Sequence, residues 1–128
     1  MKKPFVSLLI VISVALVLIG ACSPSVTQIA DTPANVAGEG ERIYNQHCAS
    51  CHAKDADTVI VGPALGKIGA QAGLREEGQD ARQYIEKAIL HPGEYVLEGY
   101  PNVMPPDYDK KLSGQEIDEL VVYLLTLK

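Results

Sequence analysis

One five-residue run, Cys48-Ala-Ser-Cys51-His52, constrains this chain more than any other feature. Two thiols three residues apart with an imidazole directly behind them serve only a few chemistries. Such a pair can close as a reversible disulfide, supply half of a zinc site, or anchor a haem. The rest of the chain has to discriminate among the three.

The beginning of the sequence bears on the compartment. Met1-Lys2-Lys3 is cationic, and the 17 residues from Phe5 to Ala21 carry no charge and are rich in Val, Ile and Leu, as in an export signal. The run ends at Ile19-Gly20-Ala21-Cys22, which resembles a bacterial lipoprotein box. That resemblance implies cleavage after residue 21, a lipidated Cys22, and a domain held at the outer face of the cytoplasmic membrane, periplasmic or extracellular. An uncleaved membrane helix is the alternative, since 17 residues is the lower edge of what spans a bilayer. The chain holds three cysteines, an odd number for an exported protein. Lipid on Cys22 leaves only the pair in the motif. Without residues 1–21 the chain keeps all 16 Asp and Glu but loses Lys2 and Lys3, for a formal charge of −7, so nucleic acid is an improbable partner.

Residues 22–37 mix Ser, Thr, Pro and Ala without periodicity and read as a tether spanning on the order of 20 Å. Residues 38–128 read as one all-α domain with three main helices. The first runs from about Gly38 to Ala53 and contains the motif. The second is capped by Asp80, and Ala81, Tyr84, Ile85, Ala88 and Ile89 form its apolar stripe before Pro92 stops it. Ser113-Gly114-Gln115-Glu116 is a capping box that opens the third, whose stripe is Ile117, Leu120, Val121, Leu124 and Leu127. Between the helices lie Gly- and Pro-rich stretches with no strand alternation. Long loops in so small a domain usually wrap something, and a domain of this size without Trp is marginal unless a ligand fills its core.

On a helix, Cys48, Cys51 and His52 would share one side, which suits two thioether bonds and an imidazole ligand to one haem. A redox-thiol reading lacks the preceding strand, and zinc lacks two further ligands at a familiar spacing, with only His47 and His91 to offer. Beyond the signal there is one methionine, Met104, within Tyr100-Pro101-Asn102-Val103-Met104-Pro105-Pro106. Prolines stiffen that loop, which helps hold a weak thioether ligand against a metal. His91 is the rival ligand, and His47 reads as a surface residue.

With these residues in view, the chain from Gly38 to Lys128 resembles class I, mono-haem cytochrome c. The resemblance rests on Cys48, Cys51 and His52, on Gly62-Pro63-Ala64-Leu65, on Met104-Pro105, and on a terminal helix carrying Tyr123. It implies one covalent haem c through Cys48 and Cys51, axial ligands His52 and Met104, and a Pro63 carbonyl that orients His52. It also implies a first helix crossing the last where Gly40 and Tyr44 meet Leu120, Tyr123 or Leu124. The family's Trp is absent, so Tyr95, Tyr100 or Tyr108 would either contact the haem propionates or simply pack the loops. Iron with both axial positions filled transfers electrons and is not an enzyme; a labile Met104 would instead give a haem enzyme or gas sensor. Membrane-bound respiratory or photosynthetic oxidoreductases are the expected partners. The stretch 91–108 is similar to a loop in cytochrome domains of bacterial respiratory complexes, including terminal oxidases and alternative complex III. Val122 and Leu125 on the last helix are candidates for a partner-facing patch.

Overall fold

The computed structural model describes residues 32–128; the expected signal, Cys22 and most of the expected tether lie outside the described residues. Five α-helices follow in order: α1 (Pro33–His47), α2 (Ile68–Gln71), α3 (Ala81–Leu90), α4 (Tyr108–Lys111) and α5 (Gly114–Thr126). A 3-10 turn at Ala72–Leu74 extends α2. Among the described residues no strand forms, and His52 and Val59 make only an isolated antiparallel bridge. The all-α expectation holds. Two one-turn helices, α2 and α4, add to the three main ones because they occupy stretches whose Gly and Pro content hides any helical period.

Helix α1 departs from expectation at both ends. It begins at Pro33, five residues early, because proline at the first helical position needs no backbone donor and already has a helical φ. Residues 33–37 are therefore helix and not tether. At the other end, Cys48 and Ala49 both donate their N–H to the Tyr44 carbonyl, which closes the helix before the motif. Cys48 to Cys51 form a turn, held by Cys51 N–H and His52 N–H donating to Cys48 O at 3.0 and 2.9 Å.

Helices α3 and α5 each start on a complete capping box. Asp80 accepts from the Gln83 N–H while Gln83 returns a bond to Asp80, and Ser113 and Glu116 do the same. The two partners satisfy donors that a helix start otherwise leaves free. Helices α1 and α5 share the most extensive helix contact. They cross where a Cβ on Gly40 would lie 2.1 Å from the Glu119 carbonyl oxygen, so only glycine permits the approach. Tyr44 and Tyr123 stack there at a tilt, with ring centroids 5.6 Å apart. Ile43, Tyr44, Leu120 and Val121 are the most deeply buried side chains of the core. Burying an Ile, Leu or Val contributes roughly 1.5–3 kcal/mol. Leu125 packs partly against that core and Val122 is half-buried, so the patch expected on α5 is not an open face.

Candidate haem site

Behind this helix crossing lies a largely apolar cavity of about 260 Å³. Cys48, Cys51 and His52 line one side of it, and Met104 lines it from the loop that follows α3. Residues 52 positions apart in sequence thus meet around one space.

His52 is fixed from two directions. Its Nδ1 lies 2.8 Å from the Pro63 carbonyl oxygen; a carbonyl can only accept, so Nδ1 carries the proton and Nε2 keeps its lone pair for a metal. On the other flank, the Tyr44 hydroxyl donates to the His52 carbonyl at 2.5 Å. The chain wraps tightly here. A Cβ on Gly62 would come within 2.3 Å of His52 Cε1, so Gly62 is what lets the 59–65 loop close over the imidazole. Val61 and Gly62 donate their N–H groups to the Cys51 carbonyl, and Leu65 donates to Ala53, which seals that loop onto the motif.

The thiols differ from those of a redox pair. Burial, followed by the neighbouring Cys51, pushes the Cys48 thiol up to about 11. Reactive redox cysteines are activated in the opposite direction, toward the thiolate. A thiol kept neutral in an apolar wall suits attachment better than exchange. Zinc fares no better, because no group of three or more Cys, His, Asp or Glu is gathered for a metal among the described residues.

The distal side is built otherwise. Tyr95 donates its hydroxyl to the Arg75 carbonyl at 2.9 Å and meets the Tyr84 ring edge-on, tying the start of the loop to the body. Gly99 turns the chain with a φ of 87°. Met104 packs against the core between Val103 and Pro105. His91, the rival ligand, is exposed and does not line the cavity; it ends α3 by donating its backbone N–H to Lys87. His47 is half-buried and borders the cavity, contrary to the surface position expected.

Of the three tyrosines considered for propionate contacts, Tyr95 and Tyr108 donate their hydroxyls to the carbonyls of Arg75 and His47. Only Tyr100 lines the cavity without such a bond among the described residues. Arg75 is the residue that sequence reasoning missed. It is the one Lys or Arg lining the cavity, it lies over the Tyr84 ring, and it makes no ion pair among the described residues. No periodicity or motif marks it. A guanidinium there would favour the anionic groups of a cofactor.

Two thiols, an imidazole with a free nitrogen, a thioether and one cation around an apolar space fit a haem. Residues 37–128 match the cytochrome c family. The chain belongs to that family. A "Cytochrome c6-like" protein of Nostoc sp. (strain PCC 7120 / SAG 25.82 / UTEX 2576) is 32% identical to it over 95 residues, which is 73% of this chain and 74% of that relative. Members of the cytochrome c family are mono-haem electron carriers with covalent haem c, and the all-α fold with its C-x-x-C-H spacing is consistent with that role.

Proposed function

We propose that this protein carries single electrons between membrane-bound oxidoreductases, with haem c attached through Cys48 and Cys51 and ligated by His52 and Met104. The observation that carries the reading is that all four side chains line one cavity. When bound, the haem would supply a one-electron ferric/ferrous couple. The chain's own residues then set its behaviour. Pro63 holds the His52 imidazole in one tautomer and one orientation, and raises its basicity as a ligand. Met104 gives the other face a thioether, and histidine with methionine raises the potential. Filling both axial positions leaves no place for a substrate, which favours a carrier over a haem enzyme or gas sensor.

In this reading, lipid on Cys22 holds the domain at the outer face of the cytoplasmic membrane. Confinement there raises its effective concentration beside membrane oxidoreductases. The lipoprotein-like end of the apolar run and the single methionine beyond it support this placement. A respiratory setting, as a free carrier or as a subunit of an alternative complex III or terminal oxidase, rests on the likeness of stretch 91–108. Among the described residues no helix is long and apolar enough to cross a membrane.

The test is carbon monoxide. Reduced holoprotein at neutral pH is expected to be low-spin and to bind the gas slowly or not at all. A high-spin ferrous spectrum with rapid binding would overturn the carrier reading. Metabolic labelling with a radioactive fatty acid, lost in Cys22→Ser, tests the anchor separately.

A further inference from the structure

Three consecutive β-branched residues, Val59, Ile60 and Val61, stand exposed to 59%, 51% and 43%. Left in water, each forgoes roughly 1.5–3 kcal/mol that burial would supply. Isolated exposed apolar residues are ordinary, but a contiguous strip marks a contact surface.

The strip is also held in place. The Asp55 carboxylate accepts from the Asp57 and Thr58 N–H groups at 2.9 and 2.6 Å, which fixes the turn before it. His52 pairs with Val59, and Cys51 receives the N–H groups of Val61 and Gly62 at 3.1 and 2.9 Å. Val61 lines the cavity, whereas Val59 and Ile60 lie outside it. Across the cavity mouth, Val96 and Val103 line it as well and stand exposed to 39% and 59%.

Charge distinguishes this face from the rest of the domain. Residues 55–66 contain Asp55 and Asp57, and residues 91–109 contain Glu94, Glu98, Asp107 and Asp109; neither segment contains Lys or Arg. Lysines from outside partly offset them, since Lys111 pairs with Asp107 and Lys87 lies 3.7 Å from Glu94. The remaining rim is acidic around an apolar centre.

We infer that the Val59-Ile60-Val61 strip is the docking surface for an electron-transfer protein whose own face is apolar at the centre and ringed by Lys or Arg. The inference rests on the proposed haem, because the strip is hydrogen-bonded directly to Cys51. The acidic rim disfavours the other two occupants, an anionic lipid surface and a second copy of this chain. Complementary charge steers the encounter and the apolar centre holds it.

The test uses holoprotein and the redox-inert tris(phenanthroline)chromium(III) ion, an apolar trication with the chemistry expected of the partner. Titration followed by NMR is expected to broaden the Val59, Ile60 and Val61 methyl signals first. Ile60→Lys is expected to weaken binding about tenfold, the low end of electrostatic effects at charged surfaces, and Ile60→Ser by less. Val122→Lys on α5 should leave binding unchanged. Oxidation of reduced Ile60→Lys by the cobalt(III) analogue should slow in proportion, while oxidation by ferricyanide should not slow and the midpoint potential should stay fixed. With native membranes as oxidant, KM should rise at unchanged kcat. Strip methyls that broaden no earlier than others, or an Ile60→Lys variant that binds like wild type, would overturn the inference. So would Ile60-dependent flotation with anionic vesicles or Ile60-dependent self-association. A preparation without covalent haem absorbance would instead break the proposed function, and it is detected before any titration.

Discussion

His52, on one side of the cavity, is gripped by hydrogen bonds at its ring and at its carbonyl, whereas Met104, on the other, is held by prolines, packing and a turn at Gly99. The proximal loop folds onto the motif through backbone bonds to Cys51, Ala53 and Asp55. The distal loop reaches back mainly through Tyr95. The difference follows from ligand chemistry. An imidazole must present one nitrogen in one direction, so its proton and its plane both need partners. A thioether has no proton to fix and needs only a stiff loop that keeps sulfur near the iron. Disturbing the proximal side should therefore cost folding and attachment together, while disturbing the distal side should alter ligation in a domain that still folds.

The largest effect that would sharpen this contrast is expected from Gly62→Ala. Its Cβ would collide with the His52 ring at 2.3 Å, and overpacking of this kind should destabilise the holoprotein by about 3 kcal/mol in denaturant unfolding. A cost below about 1 kcal/mol would mean that the proximal loop is not tightly held. Gly99→Ala is the distal counterpart. Nothing lies within 4 Å of its Cβ position, so only the left-handed backbone opposes it, at a cost of roughly 1–2 kcal/mol. If the two substitutions cost the same, the contrast between the loops fails.

Smaller effects separate the tyrosines. Tyr44→Phe and Tyr95→Phe each remove one partly buried hydrogen bond, worth about 1 kcal/mol. Only Tyr44→Phe should shift the midpoint potential, because its partner is the carbonyl of His52. Equal potentials in redox titrations of the two variants would show that the Tyr44 bond is merely structural.

The smallest effect is a pH dependence in the proximal loop. Hydrogen bonds from the Thr58 and Asp57 N–H groups hold the Asp55 carboxyl below the usual carboxylate range. Its folded pKa is depressed, so its contribution is present above the ordinary carboxylate pKa and is lost as pH falls through the folded value. The Thr58 amide NMR shift should titrate in that acid range and lose its inflection in Asp55→Asn. A flat wild-type profile would contradict the turn.

Much of this was legible in the sequence, and for identifiable reasons. Capping boxes and apolar stripes are local, so α3 and α5 start where Asp80 and Ser113 indicate. The C-x-x-C-H run and the lone methionine beyond the signal could be read as residue types without any fold. The end of α1 could not, because two N–H groups sharing the Tyr44 carbonyl is a packing outcome that no spacing encodes. Leu125 looked partner-facing on a helical wheel, yet its backbone lies against Gly69 of α2, a helix hidden in a Gly-rich stretch. Val59-Ile60-Val61 reads as buried by composition and is exposed. Arg75 reaches the cavity only through the fold of the turn after α2.

Whether His52 and Met104 meet across one iron is tested most directly by the optical spectrum of ferric Met104→Ala holoprotein. The thioether-to-iron charge-transfer absorbance of the wild type should disappear, while the haem stays covalently attached and the helical circular dichroism is retained. An unchanged charge-transfer band in Met104→Ala would show that Met104 is not the ligand.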